Sequence, residues 1–386
     1  IIAMNTDLLT RRVAKILPGR EALEALIKSK KKIRLYQGFD PTFNQLHLGH
    51  TIGFRKLMDF ARAGHEVIFL FGTGTVLAGD PSERDTGRKL ITQTEIDENI
   101  KTWKEQVSKI VDFDLVTIKQ NGDWLTELKL KDIINIASNI SATQLFKREM
   151  FTRRIAKGDV VWYHETLYPL LQGYDSVAMD VDLEIGGTDQ EFNMLVGREL
   201  QKKMNGRDKF VLTTPMINGT DGKQMSKSVG NCIWLTDKPE VIYSKIMAMS
   251  DSMITTYFEL LTDIPMEEIK ELDPNQPIEN KKRLAYDITR QLHGTTGADF
   301  AQKYFESYVQ TKSAPDDTPI LNVKSDTSIL EVLKAASLGV SNGDIKRTIE
   351  QGGVELEGIK ITEPTTPITS GGILKFGKKT YRKIVV

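Results

Sequence analysis

Apolar positions recur along this chain with two different spacings, and the alternation between them outlines its architecture. Residues 33–38 (Ile33, Arg34, Leu35, Tyr36, Gln37, Gly38) read as a strand. Residues 49–63 read as a helix in which Ile52, Leu57, Phe60 and Ala61 follow a spacing of about 3.6 residues. Val67-Ile68-Phe69-Leu70-Phe71-Gly72 is a buried-strand run ending in glycine, and residues 211–215 are a shorter run of the same kind. Helical patterns such as 94–111 lie between them. This alternation, to about residue 235, predicts an α/β fold: a parallel sheet covered by helices, with ligands at the carboxyl ends of the strands. From 239 to 310 the pattern is helical only, punctuated by Pro265, Pro274 and Pro277, and residues 311–319 read as a linker. The remainder is a small unit with helical stretches at 330–336 and 344–351 and strands around Val354, around Ile373 and at 381–385.

At 386 residues the chain has room for two or three domains and a large catalytic core. Its formal net charge is zero, so a nucleic-acid partner has to be met by local patches rather than by a global field. The single cysteine, Cys232, excludes a disulfide framework and a Cys-rich zinc site, and fits a reducing cytoplasm. No apolar stretch reaches the roughly 18 residues of a membrane span and the start carries no signal-peptide pattern, which predicts a cytoplasmic protein with no membrane partner.

Two short runs carry most of the chemistry. His47-Leu48-Gly49-His50 packs two of the five histidines into one turn where a helix begins, so imidazoles and helix N–H groups can face a phosphate. Gln224-Met225-Ser226-Lys227-Ser228 lies in a loop bounded by Gly219, Gly222 and Gly230, which predicts a flexible segment carrying a lysine. Joining a carboxylate to the α-phosphate of ATP needs no enzyme nucleophile. It needs positioning, and donors aimed at the charge that develops on the phosphates. Preceded by Gly38-Phe39-Asp40-Pro41-Thr42, these runs resemble the HIGH and KMSKS signatures of class I aminoacyl-tRNA synthetases, and the first block is similar to that of the bacterial-type tyrosyl-tRNA synthetases. One position departs from the pattern: Gln224 stands where the first lysine is usual, with Lys223 one residue earlier. Glutamine donates hydrogen bonds but carries no charge, so either Lys223 reaches in or Lys227 carries the loop almost alone; the second is expected, because moving one residue redirects a side chain substantially.

Three further segments converge on an amino-acid site. The run from Gly72 to Gly79 has neither the Gly-Lys-Ser/Thr of a phosphate loop nor the third glycine of a dinucleotide fingerprint, but as a strand end followed by Asp80 it suits an ammonium group. Tyr168, Gln172 and Asp175 share one polar face of an otherwise apolar helix. If that face is buried its groups need partners, at roughly 1–3 kcal/mol for each left unpaired, and a bound amino acid can be the partner; if it faces solvent it needs none. In Gly186-Gly187-Thr188-Asp189-Gln190, a glycine pair precedes a carboxylate that could take ribose hydroxyls. At the other end of the chain no acid follows Glu363, and the basic strip 375–383, with an aromatic in it, suits RNA phosphates; a solvated strand face is the alternative.

The resemblance runs over nearly the whole chain and carries its own implications. It implies a Rossmann-like, nucleotide-binding catalytic domain at 1–238 with a dimerisation insertion about 115–165, a helical anticodon-stem-binding domain at 239–312, and a small α+β RNA-binding domain at 318–386. It implies catalytic roles for Thr42, His47, His50, Lys227 and Ser228, with Thr42 and His47 on the γ-phosphate, and ATP contacts from Gly38, Asp40, Gly49, Gly187, Asp189 and Lys227. Tyrosine would be held by Tyr36, Thr75, Asp80, Tyr168, Gln172, Asp175 and Gln190, with Tyr36 and Asp175 on the phenol and Asp80, Tyr168 and Gln172 on the ammonium. Lys378, Lys379, Arg382 and Lys383 would meet RNA. The implied partners are L-tyrosine, ATP, tRNA(Tyr) and a second copy of the chain, with Mg2+ on the ATP phosphates and no protein metal site. A synthetase for tryptophan, a small nucleotidylyltransferase and an inactive RNA-binding relative are the competing readings.

Overall fold

The runs at 33–38 and 67–72 become neighbouring parallel strands in the computed structural model, which describes residues 7–29, 32–81, 91–146, 149–227, 229–310, 318–336, 338–377 and 380–386. One sheet contains β1 (Lys15–Leu17), β2 (Arg34–Phe39), β3 (Glu66–Phe71), β4 (Val116–Gln120), β5 (Leu183–Gly187) and β6 (Phe210–Thr214), in the order β1-β6-β5-β2-β3-β4. Only the β1–β6 pairing is antiparallel. From β2 the chain proceeds outward to β3 and β4 on one side, then returns to add β5 and β6 on the other. The carboxyl ends of β2 and β5 therefore flank the switch point where such sheets open a ligand crevice. Tyr36 of β2 sits in register with Ile68 of β3 and Glu184 of β5.

Side chains of alternating parity face opposite sides of the sheet. On one side α1 (His50–Arg62) lays Phe54 against Phe39 and Phe69, with ring centroids 4.8 and 5.6 Å away. Nearby, α2 (Gln93–Val107) starts with a capping box between Thr92 and Glu95. On the other side the end of α3 (Tyr163–Met179) contributes Met179 to a cluster with Tyr36, Ile68, Leu70 and Val181. α4 (Glu191–Asn205) crosses α3 so closely that a Cβ on Gly173 would stand 3.1 Å from the Gly197 nitrogen.

Beyond the sheet come helices Pro239–Met247, Ile254–Leu261, Met266–Lys270 and Pro277–Tyr304, the last broken at Gly294, whose φ is 74°. The expected helical region is thus present. The chain divides into compact units Ile1–Ala298 and Asp299–Val386, so most of that region belongs with the sheet. The second unit holds β7 (Ile320–Asn322), α5 (Ile329–Ala335), α6 (Asn342–Glu350), β8 (Val354–Leu356), β9 (Ile359–Ile361), β10 (Gly372–Phe376) and β11 (Thr380–Val385). Its sheet has the order β9-β8-β10-β11-β7 and a core that includes Ile329, Leu333, Ile349, Leu374 and Ile384. Among the described residues no helix is long and apolar enough to cross a membrane.

Candidate active site

A cavity of about 370 Å3 opens at the carboxyl ends of β2, β3, β5 and β6. Its walls bring together segments far apart in sequence: Tyr36 to Asp40, His47 to His50, Gly72 to Asp80, the Tyr168–Asp175 face of α3, Gly186 to Gln190, and Gln224 to Lys227. Of the expected site residues, Tyr36, Gly38, Asp40, His47, Gly49, His50, Thr75, Asp80, Tyr168, Gln172, Asp175, Gly187, Asp189, Gln190 and Lys227 all line it. Thr42 does not; it is half-buried beside the cavity wall. Ser228, Lys378 and Lys379 lie outside the described residues.

The polar stripe of α3 is turned inward, with Tyr168 and Asp175 buried, and its partners are mostly protein. Tyr168 donates its hydroxyl to Asp40 (3.0 Å), and Thr75 donates to the other oxygen of the same carboxylate (2.8 Å). Asp40 can approach because Gly72 has no side chain: a Cβ there would stand 2.0 Å from Asp40 Oδ1. Asp175 accepts from Asn121 Nδ2 (3.0 Å) and Trp124 Nε1 (2.9 Å). Burial pushes the Asp175 carboxyl well above the usual carboxylate range, against the pull of those two donors. Gln172 donates to Glu184 (3.2 Å), while its Oε1 is buried with no hydrogen-bond partner among the described residues. Gln190 donates to both Asp80 (2.9 Å) and Asp189 (2.7 Å).

Beneath Tyr36 is a group that the sequence did not announce. Its hydroxyl lies 2.9 Å from Ser176 Oγ, and Ser176 contacts Glu184 and Lys209, which form a buried ion pair. Burial lowers the Lys209 pKa and Glu184 opposes that shift. The Tyr36 phenol is pushed well up by burial and by the Glu184 and Asp175 charges, so it stays protonated.

The two histidine rings meet at the start of α1, with centroids 3.9 Å apart and planes tilted by 49°. His50 Nδ1 is 3.2 Å from the His47 N–H, and a ring that accepts there carries its proton on Nε2. Burial lowers His47 to about 2, helped by His50, and lowers His50 to about 4, so both are neutral at pH 7. The unfolded chain therefore binds protons on these rings that the folded chain refuses, and stability present above pH ~6.5 is lost as pH falls toward 4. Replacing both by asparagine should flatten the decline of stability between those pH values. Denaturant melts of wild type and variant at a series of pH values measure it, and parallel declines would contradict the assignment.

The lysine loop is hydrogen-bonded within itself. Gly219 N–H bonds to the Lys223 carbonyl and Met225 N–H to the Ile217 carbonyl, making a short hairpin. Buried Asn231 clasps it, donating to Asp221 and to the carbonyls of Lys223 and Gln224 and accepting from the Ser226 N–H. This arrangement points Gln224 and Lys227 into the cavity wall and leaves Lys223 exposed outside it. The Lys227 ammonium lies 3.1 Å from the Phe43 ring centroid, a cation–π contact.

In the second unit, strand alternation separates the basic strip. Arg382 shares the core-packed face of β11 with Ile384 and donates to the Ala336 carbonyl (3.1 Å), whereas Lys383 is exposed on the opposite face. Among the described residues no group of three or more His, Cys, Asp or Glu could hold a metal ion.

Residues 28–310 match the family model of the class I tRNA synthetases (W and Y). The chain is 39% identical to the tyrosine–tRNA ligase of Thermotoga maritima over 98% of its length and 97% of the relative's. It is 36% identical to that of Geobacter sulfurreducens, with 99% of each covered. Among solved structures, a C-terminally truncated Coccidioides posadasii mitochondrial tyrosyl-tRNA synthetase shares the fold at TM-score 0.64 and 24% identity, covering 75% of this chain and 88% of that one. The Archaeoglobus fulgidus tyrosyl-tRNA synthetase complexed with L-tyrosine does so at TM-score 0.62 and 22%, covering 76% and 98%. A cavity at the switch point lined by both signature runs, together with this family match and near-complete overlap, means that the chain belongs to the tyrosine–tRNA ligases of the class I aminoacyl-tRNA synthetase family.

Proposed function

We propose that the chain activates L-tyrosine with ATP and passes the tyrosyl group to the 3′-terminal adenosine of tRNA(Tyr). The observation that carries the reading is the joining of two ends in one cavity: Tyr36 and Asp175 at one, His47, His50 and Lys227 at the other. A tyrosine whose phenol lies between Tyr36 and Asp175 reaches back toward Asp80 and Gln172 with its ammonium. Its carboxylate then faces the nucleotide side, where Gly38, Gly49 and Gly187 let a nucleoside lie against backbone and Asp189 meets the ribose. The carboxylate oxygen attacks the α-phosphorus, the bond to the β-phosphate oxygen breaks, and pyrophosphate leaves. The neutral rings of His47 and His50 donate N–H bonds to the phosphates, and Lys227 offsets their developing negative charge. Mg2+ bound to the ATP phosphates would supply further neutralisation there. In the second step a ribose hydroxyl of the tRNA takes the tyrosyl group and AMP leaves.

Thr42 belongs to this reading as a γ-phosphate contact, and Ser228 as the residue that follows Lys227 in the chain. The exposed apolar side chains Leu130, Ile134, Ile155 and Trp162 in the 115–165 stretch support a homodimer. Lys383, together with Lys378 and Lys379, is the group we assign to RNA; Arg382 we assign to holding the strand. ATP–pyrophosphate exchange with tyrosine, phenylalanine and tryptophan tests the assignment. Tyrosine should drive exchange with the highest kcat/KM, and exchange driven best by tryptophan would overturn it.

A further inference from the structure

We propose that the buried Glu184–Lys209 pair is a positioning device for substrate recognition: it sets the hydrogen-bonding sense of Tyr36 and Gln172 and so strengthens the preference for an amino acid that carries a phenolic hydroxyl. The inference rests on the reading above, in which Tyr36 meets that hydroxyl.

The geometry is specific. Glu184 is in register with Tyr36 across neighbouring strands, and Lys209 immediately precedes β6 on the far side of Glu184. Both are almost fully buried, at 2% and 1% exposure. The Lys209 ammonium bonds Glu184 and Ser176 and lies 5.8 Å from the Tyr36 ring centroid. Gly197 makes the room for it, since a Cβ there would stand 2.9 Å from Lys209 Nζ and 3.0 Å from Ser176 Oγ. An apolar pair of similar volume would stabilise the fold as well or better, so the burial of two charges here fits a directing role.

An ammonium only donates, and Lys209 therefore fills an acceptor position on Ser176 Oγ. Ser176 has one proton and two acceptors within reach, Glu184 Oε2 at 3.3 Å, which already takes the Lys209 ammonium, and the Tyr36 oxygen at 2.9 Å. We assign the proton to the shorter contact, with Tyr36, which leaves the Tyr36 proton to be donated into the cavity. A phenol oxygen accepts it, and the phenol's own proton points to Asp175. Every donor in the series Lys209, Ser176, Tyr36, substrate, Asp175 then meets an acceptor.

The same carboxylate fixes Gln172. A carboxylate only accepts, so the amide turns its NH2 toward Glu184, and its Oε1, buried and without a hydrogen-bond partner among the described residues, is left as the acceptor for an amino-acid ammonium.

The test is ATP–pyrophosphate exchange by the full-length chain, giving kcat and KM for tyrosine and for phenylalanine. The variants are Ser176→Ala, Lys209→Met combined with Glu184→Gln (which leaves no lone buried charge), the triple combination of these, and Tyr36→Phe as reference, with thermal melts of each. Ser176→Ala and the Lys209/Glu184 double variant should each lower the tyrosine-to-phenylalanine ratio of kcat/KM roughly tenfold, through KM for tyrosine. The triple variant should lose little more, because one relay has been broken twice. A drop in the ratio for Tyr36→Phe but not for the other variants, or equal losses toward tyrosine and phenylalanine, would overturn the proposal and leave the pair structural. An unchanged ratio in Tyr36→Phe itself would overturn the reading of Tyr36, and the proposal with it.

Discussion

Lys227→Ala should slow adenylate formation by on the order of 10²–10³, as removal of a preorganised donor from a developing anion does, while Lys223→Ala should leave the step nearly unchanged. Lys223 lies within the hairpin and Lys227 just beyond it, and the backbone sends them to different places. The Ile217–Met225 and Gly219–Lys223 backbone bonds, with Asn231 clasping the turn, aim Lys223 at solvent and put Gln224, Ser226 and Lys227 on the cavity wall. A lysine one residue early therefore does not replace the one that Gln224 displaces. Gln224 can donate to a phosphate oxygen, but it brings no charge. The Lys227 ammonium rests on the Phe43 ring, a contact worth about 0.5–2 kcal/mol. The triphosphate of ATP offers a full countercharge, so exchange of one contact for the other is favourable. Single-turnover quenched-flow measurements of tyrosyl-adenylate for both variants decide the point, and equal losses would contradict it.

The alternation of strand and helix was legible because buried parallel strands are apolar throughout and α1 is amphipathic; both signals act within a few residues. The polar stripe of α3 was legible for the same reason, as three polar groups at helical spacing. Its partners were not. Asp40, Asn121, Trp124 and Glu184 reach the stripe from three other strands or strand ends, and no local pattern in sequence encodes such a meeting. Asn121 and Trp124 follow β4, a short edge strand whose alternation is too weak to stand out. Lys209 and Glu184 carry no local signal of their burial or of their pairing, although Glu184 stands two residues before the run at 186–190. The basic strip at 375–383 misled differently. Its positive charge is real, but the two-residue period of β11 sends Arg382 and Lys383 to opposite faces, and a count of charges ignores that period. In the glycine-bounded loop the glycine spacing was visible in sequence and the clasp by Asn231 was not.

Asp175→Ala should lower kcat/KM for tyrosine by on the order of 10²–10³, with a much smaller effect for phenylalanine. Asn121 Nδ2 and Trp124 Nε1 already donate to this carboxylate, and in the proposed reading the substrate phenol is a third donor. The third donor favours the ionised form that burial alone disfavours, so substrate binding and ionisation of Asp175 support each other. Alanine strands the phenol proton in the bound state, a loss that phenylalanine cannot feel because it brings no hydroxyl. The tyrosine-to-phenylalanine ratio should therefore collapse rather than both activities falling in parallel. The nearly isosteric Asp175→Asn should not rescue it. An amide presents one acceptor and two donors where Asn121 and Trp124 already donate, so one of its N–H groups must oppose a donor or displace the phenol. Exchange kinetics for the two variants with both amino acids, alongside thermal melts, test the argument. A ratio near that of wild type in Asp175→Ala, or full recovery in Asp175→Asn, would place the phenol elsewhere.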